Sequence, residues 1–453
     1  MDNFSCFAAD TIAAIATPAG CGGVGVIRVS GKQLLTLAEQ LTHRKLRPRY
    51  AHYVNFYGDD GQPIDSGIAI YFVTPHSFTG EDVLEIQAHG GSVVMQMLLK
   101  RCLALGARLA SPGEFSRRAF LNNKIDLAQA ESIADLIDAS SEAAVRCANR
   151  TLQGVFSQQI QQLLTQLTQL RTQLEASLDF PEEGLEAWPV DYFLDSLCQA
   201  QQTLATLLHS AKQGHLLRDG IRVALVGQPN SGKSSLLNAL AGDEIALVSE
   251  FAGTTRDSIR EQILLNGVPL HIIDTAGLRE DSIDPIEAMG MKRTWKVLEQ
   301  ADVVLLVVDA DKGMDADDKL ILTKIPQSIE VIILMNKADL LPSWPSMVIP
   351  QDSLRLLYVS AKTHQGLDAL KSSLLQQVGW QGEENHMFIA RYRHLEALQR
   401  TAQHLHDAYE QQAHIEFFAE ELRLAQQALA EITGAFSHED LLGEIFGRFC
   451  IGK

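Results

Sequence analysis

Residues 223–242, "VALVGQPNSGKSSLLNALAG", restrict this chain more than any other stretch. A four-residue apolar run feeds a loop bounded by Gly227 and Gly232, and a helix-like segment follows Lys233. In that context the pattern G-x-x-x-x-G-K-[ST] turns backbone N–H groups onto phosphate oxygens and adds the partial positive charge of a helix N-terminus. The remainder of residues 221–378 agrees. "PLHIIDT", "VVLLVVD", "VIILMNK" and "LLYVSA" are short apolar runs separated by helix-length segments. That is the rhythm of a doubly wound, mostly parallel α/β sheet.

The flanks read differently. Residues 1 to about 120 mix β-like runs ("VGVIRVS", "SGIAIYFV", "VLEIQAH") with Gly/Pro turns and one helix candidate, an α+β pattern. From about Ile125 to Leu217 the pattern is helical, and Ile160, Leu163, Leu167, Leu170, Leu174 and Leu178 fall on one stripe. Beyond residue 378 it is helical again. The expected organisation is an N-terminal α+β domain followed by an α-helical domain into which an α/β domain is inserted. The expected limits are 1–122, 123–217, 218–379 and 380–453.

Charge and cysteine usage narrow the role. A formal net charge of -18 argues against an electrostatic grip on bare nucleic acid. It leaves room for a local basic groove or a partner that brings the nucleic acid. The six cysteines include no CxxC pair, so the spacing marks no cysteine zinc site and fits a reducing compartment. The N-terminal stretch is apolar but has no Lys or Arg before Arg28, so it lacks the basic segment of a signal peptide. Runs such as "VVLLVV" are far too short to span a bilayer. A cytoplasmic chain with no integral membrane association is expected.

The loop "GQPNSGKS" places Lys233 at the β/γ-phosphates and Ser234 on Mg²⁺. "NKAD" follows the apolar run "VIIL", where the Asp339 carboxylate would accept from N1–H and the exocyclic amine of guanine. Adenine would leave that charge facing an acceptor, which is costly. "SAK", Ser360 to Lys362, supplies a backbone N–H for guanine O6. Between these lie "GTTRD", with Thr255 set to close on Mg²⁺, and "DTAG", with Asp274 at the magnesium shell and the Gly277 N–H at the γ-phosphate. Where many such proteins carry a water-orienting Gln, this chain has Leu278. Asp281, Asp284 and Glu287 follow, each equally readable as a solvated acid. Arg256 and Arg279 are arginine-finger candidates but equally surface ion pairs.

Together, "GxPNxGKSSLLNAL", "AGTTRD", "DTAGLRE" and "NKAD", with "FCIGK" at the end, resemble the MnmE (TrmE) family of bacterial tRNA-modification GTPases. "DTIAAIATPAGCGGVGVIRVSG", "SFTGEDVLEIQAHGG" and "SPGEFSRRAFLNNKIDLAQAESIADLIDASS" extend the likeness over essentially the whole chain. The resemblance implies a Ras-like doubly wound G domain. Its GTP contacts would be Asn230, Ser231, Gly232, Lys233, Ser234 and Ser235 of the phosphate loop. Ser249, Glu250, Phe251, Ala252, Gly253, Thr254 and Thr255 would form the first switch, and Asp274, Thr275, Ala276 and Gly277 the second. Asn336, Lys337, Ala338, Asp339, Ser360, Ala361 and Lys362 would surround the base.

The family resemblance also implies potassium in place of an arginine finger, held by Asn230, Ser249, Phe251 and Thr254. Glu287 would orient the water, assigned by its distance to Gly290. G domains would pair within a homodimer. The N-terminal domain would resemble folate-binding aminomethyltransferases and bind 5-formyl-tetrahydrofolate through Arg28, Glu85, Lys124 and Lys453. Cys450, by itself readable as a buried small hydrophobe, would serve the modification chemistry. The partner would be the FAD-carrying flavoprotein MnmG (GidA), joined in a heterotetramer. The product would be an aminomethyl or carboxymethylaminomethyl group at C5 of the wobble uridine of certain tRNAs. Two other readings are a GTP-regulated ribosome-assembly factor and a GTP-regulated folate enzyme acting on small molecules. A GxxG loop of the KH type, often appended to the first, is absent. The second leaves the helical segments unexplained.

Overall fold

The computed structural model describes residues 10–32, 34–179, 190–242, 261–274, 301–326, 329–344, 349–351, 354–382, 387–435, 439–447, 449 and 452. They form two compact units. One draws on Met1–Ala134, Leu152–Phe193 and His404–Lys453, the other on Asp135–Thr151 and Leu194–Gln403.

The first unit holds strands β1 (Ile12–Ile15), β2 (Gly22–Gly31), β3 (His52–Tyr57), β4 (Pro63–Phe72), β5 (Asp82–Gly90) and β6 (Arg108–Leu109). They lie in the order β3-β4-β5-β2-β1-β6. All neighbours are antiparallel except β1 and β6. The alternation His52, Val54, Phe56 inward and Tyr53, Asn55 outward on β3 is the period-two signature of a one-sided strand. Helices α1 (Leu34–Thr42) and α2 (Ser92–Ala104) supply Leu34, Leu37, Leu41, Met95, Leu98 and Cys102 to the core against this sheet. Gly25 admits that packing: a Cβ there would lie 2.3 Å from Met95 Sδ.

Next come α3 (Glu114–Leu121), α4 (Leu127–Asp138), α5 (Glu142–Leu152), α6 (Val155–Asp179) and α7 (Val190–Asp219). Five members of the leucine stripe on α6, Ile160, Leu163, Leu167, Leu170 and Leu174, are buried; the Leu178 side chain lies outside the described residues. Each such burial contributes about 1.5–3 kcal/mol. Propensity differences among the Gln and Thr residues around them amount to about 0.7 kcal/mol at most. Burial therefore decides this helix, and its partner is the helix at Ile415–Thr433.

A cluster of charges holds Asp10, just before β1. Arg118, 5% exposed, donates to Glu81 (2.9 Å), Asp10 (2.8 Å) and Glu114 (3.0 Å). Arg108 donates to Glu114 at 2.6 Å and also to Asp10. Burial opposes ionisation of Asp10 and Glu114, but the Arg108 and Arg118 bonds outweigh it and hold both carboxyls below their usual range.

The second unit holds β7 (Ile221–Val226), α8 (Lys233–Ala241), β8 (Glu261–Leu265), β9 (Val268–Asp274), β10 (Val303–Asp309), α9 (Ala316–Lys324), β11 (Glu330–Asn336), β12 (Ile349–Gln351), β13 (Leu354–Tyr358) and α10 (Leu367–Gln377). The sheet order is β12-β13-β11-β10-β7-β9-β8. The five inner strands are parallel and the two edges antiparallel. The run "VVLLVV" of β10 is buried throughout, as a strand covered on both faces must be. From β7 the chain goes to one side for β8 and β9 and to the other for β10, β11 and β13. Strand order thus reverses at β7, and its carboxyl end is the crevice where open α/β sheets bind ligands. Ala143, Cys147 and Ala148 of α5 share the core of this sheet. The last helices are α11 (Tyr392–Glu410), α12 (Ile415–Thr433) and α13 (Glu439–Gly447).

The charge cluster predicts acid sensitivity. Because the folded carboxyls are depressed, their stabilisation is present above the ordinary values of 3.8 and 4.5 and is lost as pH falls through the lower folded values. We predict that Glu114→Gln flattens the fall of the unfolding temperature below about pH 4.5, the ordinary value for that carboxyl. Parallel pH profiles for wild type and variant would refute a role for this carboxylate.

Candidate nucleotide-binding site

The phosphate loop begins where β7 ends. Gly227, at φ +146°, lets the loop run against β10, because a Cβ there would sit 2.3 Å from the Val307 carbonyl oxygen. Asn230 turns at φ +66°. Gly232 precedes α8 at φ +95°, with no side chain capping the helix N-terminus. A helix N-terminus without a side-chain cap, with Ser234 and Ser235 exposed beside it, suits an anion. Lys233 Nζ donates to the Gly227 and Gln228 carbonyls at 2.7 and 2.8 Å, which holds the ammonium over the loop.

The residues expected to surround the base follow β11. Asn336 is 1% exposed. Its Nδ2 donates to the Ser231 carbonyl at 2.9 Å, and its Oδ1 accepts the Ala361 N–H at 3.2 Å. One buried amide therefore joins the phosphate loop to the "SAK" loop. The approach is close enough that a Cβ on Gly232 would lie 2.2 Å from Asn336 Nδ2. Lys337 adopts φ +63° and pairs with Asp309 at 2.7 Å. Burial opposes ionisation of Asp309, but the Lys337 bond overcomes it and keeps the carboxyl below its usual range. Asp339 Oδ1 accepts the Ser360 hydroxyl at 2.7 Å, and Ser360 Oγ accepts the Thr363 N–H at 3.1 Å. Asp339 is thus aimed by a buried serine, with Ala338 buried below and Lys362 exposed at the rim.

Sequence reasoning missed the support of this loop. Gln228 Nε2 lies 2.7 Å from both carboxylate oxygens of Asp315. Asp315 caps α9 by accepting the Asp317 and Asp318 N–H groups, and Asp318 completes a capping box. The Gln228 bond leads the effects that keep Asp315 below the usual range, whereas burial leads those that push Asp318 up. The signal was "DADD" after β10, a capping pattern without a marked partner.

Several expected residues lie outside the described ones: Ser249, Glu250, Phe251, Ala252, Gly253, Thr254, Thr255, Thr275, Ala276, Gly277, Glu287, Cys450 and Lys453. The alternatives Arg256, Leu278, Arg279, Asp281 and Asp284 lie outside them too. Asp274 is described in its backbone, closing β9 opposite Leu225.

In the first unit, Arg28 of β2 and Glu85 of β5 are register partners. Arg28 Nη2 and Nε donate to Glu85 Oε1 at 2.9 and 3.1 Å. The guanidinium lies 5.5 Å from the Phe78 ring centre and 5.8 Å from that of Phe115. Its Nη1 is 3.5 Å from the Gly452 carbonyl oxygen. Gly452, at φ +99°, is pressed on β1, where a Cβ would meet the Ile15 carbonyl oxygen at 2.5 Å. Lys124 donates to the Pro75 carbonyl at 2.9 Å. It also lines an open cavity of about 710 Å³ with Asp126, Gln129 and Ser157. Phe78 and Phe115 carried no sequence signal, since only the fold brings them to Arg28.

Family models match two stretches. "GTP-binding protein TrmE N-terminus" matches residues 11–124, and "MnmE helical domain" matches residues 127–450. A relative from Laribacter hongkongensis, named tRNA modification GTPase MnmE, is 56% identical over 99% of this chain and 100% of its own length. The chain belongs to the MnmE family. Further MnmE relatives agree, from Chromobacterium violaceum (52% identical) and Thiobacillus denitrificans (53% identical), each covering 98% of both chains. Among the described residues no helix is long and apolar enough to cross a membrane.

For this MnmE-family chain we predict that Asn336→Ala removes the buried bond to the Ser231 carbonyl and the half-buried one from the Ala361 N–H, at about 1–3 kcal/mol. Fluorescence titration should read this as a roughly tenfold or greater loss of guanine-nucleotide affinity, a factor of ten corresponding to about 1.4 kcal/mol. Unchanged affinity would mean that the two loops hold their places without the clasp.

Proposed function

We propose that this chain binds and hydrolyses GTP and uses that cycle in tRNA modification. The observation that carries the reading is the Asn336 amide, which joins a phosphate-binding loop to the loop beside Asp339. Family membership supplies the tRNA context. Lys233 would swing from the loop carbonyls to the β/γ-phosphates, and Asp339, held by Ser360, would accept from both N–H edges of guanine.

Two ions fit this arrangement. Ser234 has an exposed hydroxyl at the uncapped start of α8, and with Thr255 it would hold Mg²⁺. Asn230, at its left-handed turn, would hold K⁺ with Ser249, Phe251 and Thr254. When bound, these cations would neutralise charge developing on the transferring phosphoryl group. Glu287 would orient water in place of the Gln that Leu278 replaces. We predict that hydrolysis is much faster in potassium than in sodium and that Asn230→Ala removes the difference. Equal wild-type rates in both salts would sink the potassium assignment.

The N-terminal residues support a folate reading. Glu85 can accept from a pterin amino-pyrimidinone edge, while Lys124 and Lys453 can pair with folate carboxylates. In this proposal Arg28 holds Glu85 in place and binds 5-formyl-tetrahydrofolate with it. The four-part division at 122, 217 and 379, the homodimer, the heterotetramer with FAD-bearing MnmG (GidA) and a cytoplasmic location belong to the same proposal. The product would be an aminomethyl or carboxymethylaminomethyl group at wobble-uridine C5. We predict that cells lacking the gene lose this nucleoside from their tRNA, and that Cys450→Ser fails to restore it while retaining GTPase activity. An unchanged nucleoside profile in the deletion would overturn the proposed function.

A further inference from the structure

Helices α11 and α12 are joined by the short segment 411–414, and a side chain of one meets a side chain of the other. His404 lies six residues before the end of α11, and Glu421 lies six residues after the start of α12. The turn therefore sets them across from each other. Asp407, three residues beyond His404, shares its helix face. His404 Nδ1 is 2.7 Å from Glu421 Oε2, and the ligand atoms of all three residues lie within 4.8 Å of one another. Each of the three is half-buried, open enough for an ion to enter. Neither the nucleotide chemistry nor the folate residues use this cluster.

We propose that His404, Asp407 and Glu421 form a binding site for a divalent transition-metal ion of the Zn²⁺ class, which clasps α11 to α12. An imidazole with two carboxylates is a donor set that such ions accept, whereas Mg²⁺ prefers oxygen ligands alone. Two carboxylates beside the imidazole give an anionic donor set, which a dication complements. The ion would take the Nδ1 position that now faces Glu421, with the ring N–H on Nε2. Tetrahedral Zn²⁺ ligands at about 2.0–2.2 Å sit about 3.3 Å apart. His404 and Glu421 must therefore part by about 0.6 Å, and Asp407, within 4.8 Å of both, must close by up to about 1.5 Å. Partly exposed side chains reach this by small torsional changes. Three protein ligands leave a fourth position for water. Metal sites built from facing helices with carboxylate and histidine at a three-residue spacing follow the same geometry.

The test uses the full-length protein, stripped by chelator and with accessible thiols alkylated, because Cys21 and Cys198 are exposed and free. Co²⁺ is titrated by its visible d–d absorption and then displaced with Zn²⁺. Glu421→Gln and Asp407→Asn preserve size, and the amide oxygen that Glu421→Gln introduces still accepts from the imidazole, so helix pairing should survive. Wild type should bind one more Co²⁺ than either variant, or bind it at least tenfold more tightly. Zn²⁺ should raise the unfolding temperature of wild type only. Equal stoichiometry and affinity across the three proteins, with no Zn²⁺-dependent difference in unfolding, would overturn the site and leave an interhelical hydrogen bond. Displacement of Co²⁺ by a modest excess of Mg²⁺ would overturn the assignment of metal class.

Discussion

The nucleotide site depends on one buried amide. Asn336 belongs to the base-reading motif by position, yet its hydrogen bonds go to the phosphate loop and to the loop after β13. A buried amide that lost either partner would leave a polar group unsatisfied, so the three segments hold one another in register. Gly232 has the same dependence seen from the other side, since any side chain there would displace the Asn336 amide. The loops proposed to hold phosphate and base are therefore a single connected unit.

The N-terminal sheet is organised on the same logic with charges instead of an amide. The β2–β5 register places Arg28 against Glu85, and the aromatic rings of Phe78 and Phe115 hold the guanidinium from the sides. Gly452 brings its carbonyl to this arginine from 424 residues away in sequence. Arginine suits this position because its planar fork can serve a carboxylate, a backbone carbonyl and two rings together.

What was legible in the sequence was local. The phosphate loop declared itself because its function resides in consecutive backbone conformations, and the leucine stripe of α6 because burial repeats with the helix period. Partners distant in sequence were not legible. Gln228 and Asp315 are 87 residues apart, and nothing in either neighbourhood marks the other. Apolar periodicity over 125–217 shows which faces are covered but not by what, so the sharing of a core by Ala143, Cys147 and Ala148 with β7 and β9 emerged only in three dimensions. Arg28, Glu85 and Lys124 were selected by family resemblance. The sheet register then gives Arg28 and Glu85 a physical pairing, while Lys124 bonds backbone instead.

Asp339, aimed by Ser360 and tied to the phosphate loop through Asn336, is proposed to read guanine. Competition binding with GTP, ATP and XTP on wild type and Asp339→Asn tests it most directly. Xanthine replaces the exocyclic amine of guanine with a carbonyl, which an asparagine amide can donate to and a carboxylate cannot. Wild type is expected to select GTP over both competitors, and the variant to shift its preference to XTP. A wild type that binds ATP as tightly as GTP, or a variant that keeps its preference for GTP, would contradict this reading.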